Sequence, residues 1–365
     1  MDKILKAIFV LLIAVLSAVL SFCLTVFLIG GVRKEPVKPQ ETTPVVIQTQ
    51  PQQTQPTEPE TEATTEPQEE RFLLTFVGDC TLGCRDSHAN IGAGFIKTVN
   101  GDFGYPFRNV LEYFEKDELT LINLEGALTE EGYAVHKDNS FRGPTSYVNI
   151  LTQNSVEAVT LANDHSMDYG QKGYDSTKAV LDTAKIPYVE RDSSTVITTK
   201  NGLKVGVYGS VYYKMDVDQI SADIRKLSKE ADIVVFAPHW GYENSAQCNS
   251  DQEKIARAAI DAGADIVYGS HPHVLQAMEE YKSGVIWYSL GNFSYGGNNS
   301  PEDYDSALIQ QEVIRAADGT VSLGETIIVP VSVSSAPGRN NFQPTPYKEG
   351  SPEYVRVLKK LDRAA

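Results

Sequence analysis

Five apolar runs of β type each lead directly into residues that bind metals. FLLTFV is followed by Gly78-Asp79, LTLI by Asn123-Leu124-Glu125 and AVTLA by Asn163-Asp164-His165. DIVVFA is followed by Pro238-His239-Trp240, and DIVY by Gly269-Ser270-His271-Pro272-His273. The candidate ligands are Asp79, Glu125, Asp164 (with Asn163 as the alternative), His239, His271 and His273. Carboxylates and imidazoles in this mixture suit one or two divalent ions of hard-to-borderline character. A Gly-Asp pair alone is an ordinary turn, although its glycine lets a chain turn sharply at a strand end. His271 and His273 carry more weight. Residues i and i+2 share a face of an extended segment, and Pro272 favours extended backbone at His271. Four of the six histidines fall in these motifs, so each motif strengthens the others.

The elements that must position them alternate along the chain. Strands are expected at 72–77, 119–123, 156–162, 203–208, 233–237, 266–268 and 285–290. Helical spacing is expected at 105–114, 146–153, 170–184, 216–230 and 250–262. The last of these opens on Ser250 with Glu253 three residues later, a capping-box pattern. Two late β stretches, 307–315 and 320–329, are joined by an Asp318-Gly319 hairpin signal and suggest a second sheet or an edge. This order implies an α/β fold, with sheet inside and helices outside. In open α/β sheets ligands bind beyond the carboxyl ends of the strands, so ligands far apart in sequence can meet at one rim.

The chain has 365 residues and a formal charge of −16. The acidic balance, with no block of basic residues, excludes nucleic acid as a partner. From Ala7 to Val32 there are 26 residues without a charge, roughly 39 Å of helix. That crosses a hydrocarbon core of about 30 Å. It is longer than the apolar region of a cleavable signal peptide, the rival reading. Residues 1–34 are therefore expected to be a single-pass membrane anchor, with the folded domain outside the cytoplasm. In residues 35–70, Thr, Glu, Pro and Gln fill 30 of 36 positions, the composition of a disordered linker. The folded domain is expected at 71–330, followed by a surface extension at 331–365. Cys80, Cys84 and Cys248 leave three readings open: a Cys84–Cys248 disulfide, free thiols, or a thiolate ligand from Cys80 or Cys84.

The motifs GDCTLG, NLEGALT, LANDHSMDYG, PHWGYE, GSHPHVLQ and YSLGNFSYGG, in this order, resemble the capsule-synthesis protein CapA family over about residues 72–293. The resemblance implies a metallo-dependent phosphatase (calcineurin-like) fold, a four-layer α/β/β/α sandwich, and a link to poly-γ-glutamate capsule production. In that superfamily two metal ions support in-line attack on a phosphoester. Carried over by position, Asp79, Glu125 and His273 serve one ion. Glu125 bridges to a second, held also by Asp164, His239 and His271. The ions implied are Mn, Mg, Zn or Fe. His165 is the implied general acid, and Asp168, three residues on, is placed to orient it. Arg142 in FRGP is a candidate for gripping an anionic substrate with its planar fork, with a surface salt bridge as the alternative. Two positions depart from the wider pattern: Thr81 stands where the first motif has histidine, and Asp164 stands where relatives have a second asparagine. The implied partner is an anionic cell-surface polymer (poly-γ-glutamate) or a phosphoester. The alternative role is a non-catalytic accessory subunit, working with polymer synthase or export subunits.

Overall fold

Alternation along the strand Glu70–Val77 (β1) builds two layers at once. Phe72, Leu74 and Phe76 enter a core between two sheets, while Val77 enters a second core under helices. A computed structural model of the protein describes residues 68–88, 94–136, 139–212 and 215–362. The expected anchor, and the expected linker up to residue 67, lie outside them. Among the described residues no helix is long and apolar enough to cross a membrane.

β1 lies inside a seven-stranded sheet. Its order is Thr345–Pro346 (β17), Val321–Ser332 (β16), Asp305–Arg315 (β15), β1, Leu119–Asn123 (β3), Ala158–Thr160 (β6) and Tyr188–Val189 (β7). β1, β3, β6 and β7 run parallel, and β15 and β16 are antiparallel to their neighbours. A six-stranded sheet has the order Leu275–Tyr281 (β12), Gly284–Leu290 (β13), Ile266–Tyr268 (β11), Ile233–His239 (β10), Lys204–Val211 (β9) and Ser193–Thr198 (β8). Its four central strands are parallel, and β12 and β8 are antiparallel edges. Two short pairs complete the set: Asp79–Thr81 (β2) with Asn292–Tyr295 (β14), and Ala127–Leu128 (β4) with Arg142–Gly143 (β5).

The sheets pack face to face. Leu74, Phe76, Leu119 and Leu121 of the first meet Val205, Val207, Val235 and Trp287 of the second. Helix Gly170–Ala184 buries Leu181 against the outer face of the first sheet, in one core with Ile122 and Val159. Helices Val217–Leu227 and Ser250–Ala262 cover the outer face of the second. The result is an α/β fold with two mixed sheets and helices on both outer faces.

Several local expectations differ from the structure. Helix Ser250–Ala262 is capped one residue earlier than expected: the Asn249 side chain accepts from the Asp251 and Gln252 N–H groups, and Gln252 closes the box. Asparagine is at least as good an N-cap as serine. The helix expected over 105–114 is confined to Leu111–Phe114, with residues 103–110 in turns; Pro106 disfavours helical backbone at Tyr105. Of the two readings of the late hairpin, the edge holds and the second sheet does not: β15 pairs with β1, and β16 extends the sheet beyond it. Of the readings left open for the cysteines, the Cys84–Cys248 disulfide is absent: Cys80 and Cys84 are free thiols, and Cys248 Sγ lies 3.8 Å from Glu253 Oε1. The segment from 331, expected to wrap the surface, also enters the cores: Phe342 is buried, and helix Pro352–Leu361 buries Val357 and Leu361. Arg356 fixes that helix by forking onto the buried Asp305, with both contacts at 2.7 Å.

Asp117, just before β3, generates a stability prediction. Its Oδ2 accepts from Thr120 Oγ1 at 2.7 Å, while Oδ1 is buried without a partner. Burial pushes its carboxyl from 3.8 up to about 7. Between those values the folded chain keeps a proton that the unfolded chain has released, so stability falls as pH rises through that window. Asp117→Asn keeps an acceptor for Thr120 and does not ionise. A tenfold change in proton affinity is worth about 1.4 kcal/mol. We expect the variant to lose on the order of 1–3 kcal/mol less than wild type between about pH 4 and pH 8 in urea unfolding. Identical losses would refute this.

Candidate metal centre

The parallel strands of both sheets point their carboxyl ends at one rim. β1 runs into Asp79, β3 into Glu125 and β6 into Asp164 from one sheet. From the other, β10 ends on His239 and β11 runs into His271 and His273. Two cross-links join the rims. The Tyr268 hydroxyl, from β11, donates to the Val77 carbonyl and accepts from the Asn123 N–H at 3.2 Å. The His271 N–H donates to Asp79 Oδ2 at 3.2 Å. Gly78 is required for close approach rather than for a sharp turn: a Cβ there would lie 2.3 Å from the Gly291 carbonyl oxygen, which accepts from the Asp79 N–H.

Two groups of potential ligands form, each with its atoms within 4.8 Å of one another: Asp79, Glu125 and His273, and Asp164, His239 and His271. In the first, His273 Nε2 lies 3.6 Å from Glu125 Oε1, and Nδ1 lies 3.3 Å from Asp79 Oδ2. In the second, His239 Nε2 lies 2.9 Å from Asp164 Oδ1 and 3.1 Å from His271 Nδ1. Glu125, Asp164 and His165 form a third, overlapping group. The two histidines of His271-Pro272-His273 thus serve different groups. The expectation of one shared extended face does not hold, because His271 has φ +97° and His273 φ +58°. Positive φ is strained for a non-glycine residue, and such strain clusters at functional sites.

The residues around these groups are neutral braces. Asn123 Nδ2 donates to Asp79 Oδ1, and Asn163 Nδ2 donates to Asn123 Oδ1, both at 2.9 Å. Asn163 also donates to the Leu124 carbonyl and accepts from the His165 N–H. Its amide is therefore fully engaged, and Asp164 is the member of the pair that faces the histidines. Ser270 Oγ bonds His239 Nδ1 at 2.9 Å, and Asn292 Oδ1 bonds His273 Nδ1 at 3.0 Å. Such contacts fix a ring's orientation and tautomer. Asn123, Ser270 and Asn292 were not singled out from the sequence, although each lies inside a motif that was.

Electrostatics sharpen the picture. Glu125 is buried, and neither of its oxygens has a hydrogen-bond partner. The Thr81 hydroxyl is similarly orphaned. Burial pushes the Glu125 carboxyl up to about 7, against the pull of His273. Burial also acts to raise Asp79 and Asp164, but His273 holds the first low and His239 the second. Burial and neighbouring His239 take His271 down to about 3, so its lone pair is available. Burial opposes a proton on His273, yet Glu125 and Asp79 raise it to about 10. The cleft between those two carboxylates therefore favours positive charge. A divalent cation satisfies the donor set, the orphaned Glu125 oxygens and that charge preference together.

His165 Nδ1 lies 2.8 Å from Asp168 Oδ2, which also accepts from the Phe141 N–H at 2.7 Å. Its Nε2 then faces Asp164 and Glu125 at 3.8 and 3.9 Å. Burial works against its proton, but Asp168 and the two facing carboxylates take it up to about 9. Arg142 is engaged elsewhere: its Nε donates to Asp86 Oδ1 at 2.8 Å, and its guanidinium lies 4.5 Å from the centre of the Tyr169 ring. The surface salt bridge, one of its two expected roles, is formed.

Fold and site define an α/β protein with a candidate two-part metal centre. Residues 73–296 match the bacterial capsule synthesis protein PGA_cap, and the chain belongs to that family. It is similar to the capsule biosynthesis protein CapA of Bacillus anthracis, 29% identical over 72% of this chain and 68% of the relative. It is also similar to the PGA biosynthesis protein CapA of Bacillus subtilis, 29% identical over 79% and 77%. A probable polyglutamine synthesis accessory protein of Mycobacterium tuberculosis is 25% identical over 61% and 71%. Among solved structures, the NAD nucleotidase of Haemophilus influenzae overlaps with a TM-score of 0.41 at 13% identity, over 80% of this chain and 62% of that one. The purple acid phosphatase PPD1 of yellow lupin overlaps at 0.32 and 10% identity, over 72% and 54%. This chain spans less than two thirds of either, and overlaps this loose transfer no chemistry.

Separate groups for the two histidines give a stoichiometric prediction. Wild type should bind two manganese ions. His271→Ala and His273→Ala should each lower that number by one, and the double variant should bind neither tightly. Calorimetry with elemental analysis measures this, and unchanged uptake by the double variant would remove these residues from the centre.

Proposed function

We propose that this chain is a membrane-anchored, extracytoplasmic capsule-synthesis protein whose rim is a metal-dependent hydrolase site of the phosphoesterase type. Its substrate would be a phosphoester or amide bond of an anionic cell-surface polymer, poly-γ-glutamate being the class that the family resemblance implies. The observation that carries this reading is Glu125, a buried carboxylate without hydrogen bonds between two groups of ligands. The ordered motifs and the paired sheets with ligands at one carboxyl-end rim support a fold of the metallo-dependent phosphatase type.

Asp79, Glu125 and His273 would hold one divalent ion, and Asp164, His239 and His271 a second shared through Glu125. Such ions supply Lewis acidity toward a phosphoryl or carbonyl oxygen. His165, held by Asp168 and favouring its protonated form, would deliver a proton to the leaving oxygen. A second reading rests on Thr81, which offers a hydroxyl where the wider pattern has an imidazole. It is that of a metal-binding accessory subunit, and the mycobacterial relative is named a probable synthesis accessory protein.

His165 separates the two. If it is the acid and not a ligand, His165→Ala keeps its metal. Its turnover of an alkyl phosphoester should then fall by roughly 10²–10⁴-fold, the usual worth of general acid–base catalysis. A nitrophenyl ester, whose leaving group needs no proton, should suffer less. A metal-loaded wild type that turns over nothing in a broad phosphoester panel would reject the phosphoesterase reading in favour of the accessory one.

The anchor has its own test. Cell fractionation should place the protein in the membrane with residues 1–34 still attached. Mass spectrometry finding a mature N-terminus near residue 31, with the protein free in the medium, would refute anchoring.

A further inference from the structure

Two arginines flank the centre, in the loop after β2 and on β5, and their charges are differently committed. Arg142 is paired with Asp86 and covered by Tyr169. Arg85 has no carboxylate partner among the described residues. It donates from Nη2 to the amide oxygen of Asn139 at 3.0 Å, and its Nε is buried with no acceptor. Leaving a buried N–H without an acceptor is costly, and more so in a charged group. A chain of formal charge −16 has carboxylates in excess. An arginine paired with none of them is therefore available to another anion.

Its neighbours say where it stands. The Arg85 guanidinium carbon lies 5.5 Å from the centre of the Phe141 ring. Phe141 packs edge-on against His165 at 4.7 Å. Arg85 is thus one ring away from the proposed proton donor. Contact with the Phe141 face holds the planar fork in one orientation at little entropic cost.

We propose that Arg85 is the oxyanion-binding residue of this centre, taking a carboxylate or phosphate oxygen of the bound ligand, in place of Arg142. The inference rests on the metal-dependent function proposed above and adds the group that recognises the ligand. Charge-assisted hydrogen bonds from a guanidinium suit either anion. The two sources, a polymer side-chain carboxylate and a phosphoester, share that chemistry.

The test uses the full-length chain in detergent, loaded with manganese. Inorganic phosphate and a short γ-linked glutamate oligomer are titrated calorimetrically into wild type, Arg85→Met, Arg85→Lys and Arg142→Met. Thermal melting checks folding, and elemental analysis of each sample checks metal. Arg85→Met should weaken binding of whichever anion wild type takes by about 10–100-fold, the worth of a hydrogen bond to a charged group, with metal content unchanged. Arg85→Lys should recover part of that loss, and Arg142→Met should change affinity by less than about 3-fold, since its charge is already paired. A response confined to phosphate assigns the site to a phosphoester oxygen, and one confined to the oligomer assigns it to a polymer carboxylate. Unchanged affinity in a folded, metal-loaded Arg85→Met, or a larger loss in Arg142→Met, overturns the inference. A wild type that holds manganese but binds neither anion also overturns it, while leaving the metal-centre reading standing.

Discussion

The buried carboxylate of Glu125 is the constraint on which the rim depends. Without hydrogen bonds, an ionised carboxylate taken out of water costs several kcal/mol. The fold surrounds this one with His273 and His165, and with the carboxylates of Asp79 and Asp164. More negative charge beside an unsolvated carboxylate opposes folding unless positive charge is supplied. Imidazoles supply some of it, as the raised His273 and His165 show. A cation between the carboxylates supplies it fully. Strained backbone at His271 and His273 has the same logic, since it spreads adjacent histidines over two groups.

Rigidity comes from neutral groups. The amide chain from Asn163 through Asn123 to Asp79 ties the ends of β6, β3 and β1 together without adding charge. The Tyr268 hydroxyl does the same between the two sheets. Had these braces been ionic, each would have altered the balance that the carboxylates and imidazoles set. Ser270 and Asn292 likewise orient imidazoles while leaving their charge to the ligands.

What could be read from the chain follows from the range of each signal. Central strands such as Leu119–Asn123 and Ile266–Tyr268 are short apolar runs with nothing competing, and their bounds were legible. The edge strands Ser193–Thr198 and Leu275–Tyr281 were not, because one side meets solvent: SSTVIT is largely polar, and LQAMEEY is interrupted by Gln276, Glu279 and Glu280. That the ligands meet at one rim was legible because each follows a strand, whereas their division into two groups came from the family resemblance. The backbone at His271 was not, because Pro272 argues locally for extension and the rim overrides it. Arg142 drew attention as part of a motif, whereas Arg85 sits in a turn with no pattern of its own. Only the tertiary arrangement shows which of the two is already neutralised.

The balance of charge also bears on what the rim can attract. The chain as a whole carries −16, which alone would repel an anionic polymer. At physiological ionic strength, however, charges more than about 8 Å apart are largely screened, so the local field decides. Asp79, Glu125 and Asp164 contribute three negative charges to the ligand groups. Two divalent ions would exceed them by one, before any proton on His165 or the charge of Arg85 is counted. With His273 and His165 protonated the metal-free cleft is close to neutral, and metal loading would make it positive on an acidic protein. The metal would then set where an anion binds as well as what happens to it, and a chain lacking metal should discriminate against the ligand that the loaded chain accepts.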